Sequence, residues 1–275
     1  MQKLIQKNKE EISSKHKSLS IQFSLDGFSF CVKDIPSGEI LLLTAYTFES
    51  SMDTPHELSE KIQSIFEAEK ELQIEFDQII AIHQNQLATQ IPDAYFDENH
   101  LKTYLDYNIK TFSSDYITFD NLPSLEAKNV YIPYVNVNNF LFQNFGEFEF
   151  KHHSTVLLEQ LITNHDASIE DTMYVNVSHK YLDIVVFKKD QLRLYNSFQY
   201  NSKEDFLYYI LFVSEQLELD PSEFQLLFSG NITKDFTNFT LTKEYIKNVD
   251  FLKPSYNFLD ESEHFKPHSN YILLS

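Results

Sequence analysis

The sequence predicts an α/β protein of two lobes that share one repeated folding unit. Three short apolar runs, a helix with a strong N-terminal cap and one buried strand follow each other in this order twice along the chain. The 275 residues include 42% hydrophobic residues but only 4 glycines and 8 prolines. This composition is sufficient for a packed core and excludes collagen-like and low-complexity chains.

The first unit begins after a lysine-rich segment. Three strands joined by short turns are expected at residues 19–25, 28–32 and 40–48. Thr54, Pro55 and Glu57 are residue types typical of an N-cap, a first helical position and a third helical position. The helix that follows has an apolar stripe formed by Leu58, Ile62, Ile65, Phe66 and Leu72. A buried strand at residues 76–82 completes a β-β-β-α-β unit.

The same order of elements recurs in the second half of the chain. Strands are expected at residues 173–177, 182–187 and 192–200. Ser202 caps the next helix, Asp205 stands three residues on, and Pro221 ends the helical segment. The apolar stripe of this helix comprises Phe206, Ile210, Val213 and Leu217. A closing strand at residues 224–228 completes the second unit.

Two lobes with a cleft between them follow from this repeat. The expected domains are a flexible basic tail (1–18), a first lobe with an insertion (19–165) and a second lobe (166–275). The insertion, roughly residues 84–171, is expected to be helical at 98–107 and 154–163 and extended at 116–119, 130–134 and 148–150. The second lobe is expected to end with a helix at 243–249 and an edge strand at 270–274.

The charge of the chain restricts its partners. The sequence has 22 basic and 41 acidic side chains, a formal net charge of -19, and Arg193 is its only arginine. Nucleic-acid recognition relies on a positive field and on arginine, so a nucleic-acid partner is excluded. An anionic membrane surface is disfavoured for the same reason. A protein partner with a basic surface is expected instead.

Cys31 is the single cysteine, so no disulfide within the chain is possible. It stands in an alternating apolar run, which predicts a buried small hydrophobic residue. The sequence shows no signal-peptide pattern, and no apolar run approaches the ~20 residues of a membrane helix. We therefore expect a cytoplasmic protein without direct membrane insertion.

Short motifs distributed along the chain form a recognisable pattern. They read Ser24-Leu-Asp-Gly-Phe-Ser29, Asn196-Ser-Phe-Gln-Tyr200, Glu204-Asp-Phe-Leu-Tyr-Tyr209, Leu217-Glu-Leu-Asp-Pro221, Gly230 and Glu244-Tyr-Ile246. This pattern resembles a bacterial family catalogued as domain of unknown function 3822, and it covers nearly the whole chain past Leu19. The resemblance implies an actin-like ATPase fold, in which two ribonuclease-H-like βββαβ lobes flank a cleft.

The fold resemblance implies a nucleotide site, and the first lobe only partly matches it. ATP-binding relatives carry an acidic-x-Gly hairpin in each lobe, whose amides hold phosphates and whose carboxylates hold water around Mg²⁺. In this chain Ser24 matches the carboxylate position and Asp26 stands where glycine is expected. A register shift of two residues would instead bring Asp26, followed by Gly27, to the carboxylate position.

The second lobe departs further from the nucleotide-binding pattern. Asn176 replaces the acidic residue and Ser178 replaces the glycine, while the adenosine-side turn reads Ser229-Gly230-Asn231. A Walker-type loop is absent from the sequence. We therefore predict a pseudo-ATPase with no catalytic residues and no cofactor. Its candidate cleft residues are Ser24, Asp26, Gly27, Asn176, Ser178, Ser229, Gly230 and Asn231.

No metal site is predicted from the histidines. His264 and His268 are four residues apart beside acidic residues, but a proline between them opposes a regular helix. A solvated loop is therefore expected there. His152, His153 and His165 flank the helix expected after the insertion, where capping or surface positions are expected.

These observations favour a cytoplasmic, non-catalytic protein-binding or scaffolding module. Tyr208 and Tyr209 are adjacent on the second helix and cannot both face inward, so one of them is a candidate anchor for a protein partner. One alternative is a weak ATP-binding phosphotransfer enzyme that uses Asp26. Another alternative is a sensor whose cleft holds a small molecule between Ser24, Asn176, Ser178 and Asn231. The capacity to bind phosphate separates these hypotheses.

Overall fold

A computed structural model describes residues 2–7, 15–49, 52, 54–253, 266 and 268–274. The chain divides into two units, each with its own core. Unit 1 comprises Met1–Gln160 and Ile272–Ser275, and unit 2 comprises Leu161–Tyr271. Among the described residues, no helix has the length and apolar composition needed to cross a membrane.

Unit 1 begins with four strands, β1 (Gln2–Lys7), β2 (Lys17–Ser24), β3 (Gly27–Asp34) and β4 (Ile40–Thr47). The last three form the expected antiparallel meander. The structure differs from the sequence prediction at residues 2–7, which form β1 antiparallel to β4 instead of belonging to a flexible tail. Backbone pairing with β4 and an ion pair from Lys3 to Glu69 hold this strand.

The helix that crosses over the meander is α1 (Pro55–Ala68). The Thr54 side chain accepts a hydrogen bond from the Glu57 N–H at 3.2 Å, as its position predicts. Four residues of the predicted apolar stripe are buried on α1, which removes apolar surface from water and fixes the helix on the sheet. The fifth, Leu72, is buried beyond the end of the helix, in a short turn at Lys70–Leu72. Strand β5 (Gln78–His83) then lies parallel to β2, and the first βββαβ unit is confirmed.

The insertion forms a small antiparallel sheet. Its elements are β6 (Ala88–Pro92), α2 (Leu101–Leu105), β7 (Thr118–Leu122) and β8 (Ala127–Tyr131). Strand β8 lies between β6 and β7, and Leu105, Val130 and Ile132 form the buried core. Strand β6 was not predicted, because its sequence ends in proline and lacks a clear alternation of apolar residues.

Unit 1 continues with α3 (Val135–Phe145) and β9 (Glu149–His152). Helix α4 (His153–Asn164) begins in unit 1 and ends in unit 2. Strand β9 lies parallel to β5, and the described strands of the main sheet have the order β1-β4-β3-β2-β5-β9. Helix α3 was missed from the sequence because its asparagines have low helix propensity. Burial of Val137 and Leu141 outweighs that propensity.

Unit 2 contains β10 (Asp171–Val177), β11 (Tyr181–Lys188), β12 (Gln191–Gln199), α5 (Lys203–Gln216), β13 (Gln225–Gly230), α6 (Thr237–Tyr245) and β14 (Asn248–Phe251). The sheet order is β12-β11-β10-β13-β14 over the described strands. Ser202 and Asp205 form a complete capping box at the start of α5. Strand β13 is parallel to β10, so unit 2 repeats the βββαβ topology of unit 1.

Two predictions near the end of the chain are wrong. The helix expected at 243–249 lies earlier, as α6, and residues 248–251 form β14 on the edge of β13. Pairing with that strand edge outweighs the local helical pattern. The edge strand expected at 270–274 is a series of turns. The side chains of Ile272, Leu273 and Leu274 are buried, although this apolar run does not extend a sheet.

Candidate functional site

The candidate residues of unit 2 lie at the carboxyl ends of the parallel strands β10 and β13. In this register Asn176 is opposite Ser229, and Val177 is opposite Gly230. The buried Asn176 amide accepts a hydrogen bond from Ser229 Oγ at 3.2 Å and donates from Nδ2 to the Asp183 carboxylate at 3.1 Å. The fold therefore joins Asn176 and Ser229 in one cluster around a buried acid.

Asp183 was not among the predicted site residues. This residue lies on β11 directly opposite Asn176 and is 1% exposed. The Tyr195 hydroxyl donates to the same carboxylate at 3.5 Å. Its position within an otherwise apolar strand could have indicated a polar site, because a charged group at a core position needs a polar partner.

Gly230 ends β13 with a backbone conformation that favours glycine. Its φ is +82°, and a Cβ at this position would lie 2.2 Å from the Val177 carbonyl oxygen and 2.9 Å from Asn176 Oδ1. The lack of a side chain is therefore required by close approach of β10 within the same unit.

The backbone amides of residues 230–232 all donate within the chain. The Gly230 N–H donates to the His268 carbonyl at 2.9 Å, and the Asn231 N–H donates to the Val177 carbonyl at 2.7 Å. The Ile232 N–H donates to the Gly230 carbonyl at 2.9 Å. A turn that binds phosphate presents its N–H groups to the anion, whereas these three are already bound.

Ser178 closes the turn between β10 and β11. Its backbone N–H and its hydroxyl donate to the Tyr181 carbonyl at 2.9 Å and 3.2 Å. The Tyr200 hydroxyl donates to the Ser178 carbonyl at 2.9 Å. Ser178, which replaces the expected glycine, therefore stabilises the turn between β10 and β11 through these hydrogen bonds.

The solvated loop expected around the two spaced histidines is wrong for His268. This side chain is buried, its ring stacks on Phe251 at a centroid distance of 4.0 Å, and Nε2–H donates to the Ile232 carbonyl at 2.8 Å. Apolar packing and one directed hydrogen bond outweigh the acidic sequence context. His264 lies outside the described residues, within which no cluster of metal-ligating side chains occurs.

The candidate residues of unit 1 form the tip of the β2–β3 hairpin. Ser24 pairs with Gly27, and Ser24 Oγ accepts from the Asp26 N–H at 3.2 Å. The Phe48 N–H donates to the Asp26 carbonyl at 2.9 Å. A Cβ on Gly27 would lie 2.7 Å from the Tyr46 carbonyl oxygen, so the adjacent β4 requires glycine there.

A buried polar network in unit 1 was not predicted. The Asp120 carboxylate on β7 accepts hydrogen bonds from Thr155 Oγ1 at 2.6 Å, the His152 N–H at 2.8 Å and the Tyr131 hydroxyl at 3.0 Å. Burial raises the pKa of the Asp120 carboxyl, and the three hydrogen bonds oppose that shift. These donors come from distant parts of the sequence, so no local motif indicated the network.

Two buried histidines end the parallel strands β5 and β9, where His83 is opposite His152. His83 Nδ1 accepts from the Tyr134 N–H at 3.0 Å, so its Nε2–H donates to Asn138 at 2.9 Å. Burial lowers the pKa of His83 to about 3. Burial, assisted by the adjacent His153, also lowers the pKa of His152. Both rings are therefore neutral structural groups.

The prediction of capping or surface positions is wrong for His152 and His153, which are 1% and 0% exposed. Their ring centroids lie 4.4 Å apart at the junction of β9 and α4, where both side chains are buried. His165 is half-buried and stacks on Phe187 at 4.3 Å, and its Nδ1 lies 2.8 Å from the Tyr174 hydroxyl.

An exposed aromatic pair lies on α5. Tyr208 is 59% exposed and stacks on Phe212, which is 40% exposed, at a centroid distance of 5.8 Å. Tyr209 packs inward on Phe198 at 4.8 Å. The expectation that only one of the two adjacent tyrosines faces inward is confirmed.

Cys31 is buried in the β-meander of unit 1, as predicted from its apolar neighbours. Burial raises the pKa of its thiol to about 12. The thiolate is the reactive form of cysteine, so Cys31 is not a nucleophile in this fold.

Solved structures with a similar fold have been described. A protein of unknown function from Bacteroides thetaiotaomicron with an actin-like ATPase fold is 25% identical, with a TM-score of 0.74 over 87% of this chain and 91% of that chain. A chain of the PilM–PilN type IV pilus biogenesis complex is 11% identical, with a TM-score of 0.50 over 86% and 88%. A comparison with curated proteins gives no match.

The fold is therefore that of the actin-like ATPases. At the level of sequence, residues 6–249 match the model of a family described as "Protein of unknown function (DUF3822)". This match spans most of both units and includes the two hairpins and both crossover helices. The chain belongs to the DUF3822 family.

Proposed function

We propose that this chain is a cytoplasmic, non-catalytic protein-binding module, a pseudo-ATPase on an actin-like fold. The observation that carries the proposal is the internal use of the three consecutive amides of residues 230–232. The neighbouring Asn176 amide is likewise held by Ser229 and Asp183. A turn that binds phosphate uses free backbone N–H donors, and Mg²⁺ prefers carboxylates in its surroundings.

Three features support a protein partner. The stacked pair of Tyr208 and Phe212 is exposed, and aromatic side chains of this kind anchor protein interfaces. The net charge of -19 favours encounter with a basic surface. A chain of similar fold occurs in the PilM–PilN complex, which is fold-level support for a role in assembly.

Titration calorimetry with Mg-ATP tests the non-catalytic part of the proposal. We expect no binding heat at millimolar nucleotide and no hydrolysis. The contrary result is micromolar affinity that is lost in Asp26→Ala, the position that the enzyme hypothesis uses. Asp235→Ala, an exposed acidic position in unit 2, is the matched control for the loss of one negative charge.

A further inference from the structure

Unit 1 contains an open groove of about 650 Å³ between α1, α3 and the segment before β5. Its floor is aromatic and is formed by Phe66, Phe76, Phe140 and Phe145. The rings of Phe66 and Phe140 lie 5.0 Å apart, and that of Phe145 lies 5.6 Å from Phe66. Phe66 is buried, whereas Phe76, Phe140 and Phe145 are partly exposed and line the groove.

The rim of the groove is polar and acidic. Glu67 and Glu75 are exposed, and neither forms an ion pair with another described residue. Gln73 donates from Nε2 to the Phe66 carbonyl at 3.0 Å, and Asn144 donates from Nδ2 to the Phe140 carbonyl at 2.8 Å. Each amide nitrogen is thereby fixed, and each amide oxygen can accept a hydrogen bond from a bound backbone N–H.

The helices around the groove add to its negative character. Both α1 and α3 reach it with their C-terminal turns, where the aligned peptide dipoles of a helix give a partial negative charge. Neither helix has a basic residue in its last turn. The two helix ends and the two glutamates therefore favour a cationic ligand.

We propose that this groove binds a short peptide segment of a protein partner, in which apolar side chains are flanked by lysine or arginine. The inference rests on the proposed protein-binding function and identifies the surface and the partner chemistry. Grooves of this volume hold a few side chains, and the aromatic floor suits apolar ones. The negative rim disfavours an anionic metabolite and supplies the partners for basic flanks.

The test uses the full chain and a phage-displayed random dodecapeptide library as the probe. Enriched peptides are synthesised, and their binding is measured by fluorescence anisotropy. Glu67→Lys reverses a rim charge, and Asn144→Trp fills the groove, both at exposed positions. Glu60→Lys and Asn139→Trp make the same changes at exposed positions of the same helices outside the groove.

We expect the enriched peptides to combine apolar and basic residues, with affinity falling at least tenfold in both groove variants and unchanged in both controls. Failure to enrich any peptide, enrichment of acidic peptides, or equal binding to groove and control variants would overturn the inference. If a partner is captured through Tyr208 while groove variants bind it normally, the groove assignment fails and the protein-binding function stands. Micromolar Mg-ATP affinity that depends on Asp26 would instead overturn the proposed function.

Discussion

Asn176 and Asp183 face each other across β10 and β11, and the Asn176 amide donates to the buried Asp183 carboxylate at 3.1 Å. A neutral amide here donates to the buried carboxyl group inside unit 2 without adding a second acid. The acidic residue that ATP-binding relatives carry in this hairpin would create a carboxylate pair. The residue type that position 176 tolerates therefore depends on Asp183 on the adjacent strand.

Asn176→Asp is therefore expected to destabilise the protein by about 2–3 kcal/mol near neutral pH, because two buried carboxylates repel each other. Such a pair has a folded-state pKa above that of a free Asp. The destabilisation is present above that raised pKa and diminishes as the pH falls and the pair takes up a proton. Urea unfolding at several pH values measures it. Asn231→Asp, at an exposed position, is the control and should change stability by less than about 0.5 kcal/mol.

Gly230→Ala is expected to cost more than about 3 kcal/mol, because the added Cβ would overlap the Val177 carbonyl and occupy a positive φ. Gly38 also has a positive φ of +69°, but a Cβ there would meet nothing within 4 Å. Gly38→Ala should therefore cost only about 1 kcal/mol of backbone strain. Equal losses for the two variants in chemical denaturation would contradict the role assigned to the β10 contact.

The stability of unit 1 is expected to fall on mild acidification. The folded-state pKa of His83 is about 3, below the ordinary value of 6.5, and that of His152 is shifted in the same direction. Below about pH 6.5, these two histidines bind protons in the unfolded chain but not in the folded chain. The stabilisation is therefore complete above the unfolded pKa and is lost as the pH falls towards the folded pKa.

Below the unfolded-state pKa, each of these two histidines lowers the free energy of unfolding by about 1.4 kcal/mol per pH unit. We therefore expect the free energy of unfolding to fall by about 2 kcal/mol between roughly pH 7 and pH 5.5. Urea unfolding followed by far-UV circular dichroism measures this change. His83→Gln should reduce the pH dependence of the free energy of unfolding by the contribution of one histidine, whatever its effect on stability at neutral pH. An unchanged slope in this variant would show that His83 is not the titrating group.

Tyr208→Ala is expected to weaken association with the protein partner at least tenfold, because it removes the more exposed ring of the α5 pair. Higher salt should weaken the association moderately, since opposite charges contribute to the encounter. Quantitative co-purification at low and moderate salt measures both effects. Tyr107→Ala removes another exposed tyrosine, 83% exposed, and should leave binding unchanged.

Local signals explain which parts of the fold were predictable. Thr54 and Ser202 each precede a helix with an acidic residue three positions on, and both helices begin where these caps predict. Helix α3 and strand β1 lack such signals and depend on packing against α1 and pairing with β4. Tertiary contacts of this kind cannot be read from a single segment.

The candidate sites show the same limit. The replacement of an acid by Asn176 was visible in the sequence, but its partner Asp183 is defined only by strand register. The hydrogen bond between Asp120 and Thr155 joins residues 35 positions apart in the sequence, so no local motif indicated it. The groove likewise depends on Phe66 and Phe145 meeting across two helices.

Residues 272–274 belong to unit 1, although the whole of unit 2 precedes them in the chain. Their side chains are buried, and Lys33 Nζ donates to the Leu274 carbonyl at 2.6 Å. During translation, residues 272–274 therefore join unit 1 only after the whole of unit 2 has been synthesised. Unit 2 takes roughly 5 to 20 seconds to synthesise. For that time the Lys33 side chain lacks its Leu274 acceptor, and the apolar side chains of residues 272–274 are missing from unit 1.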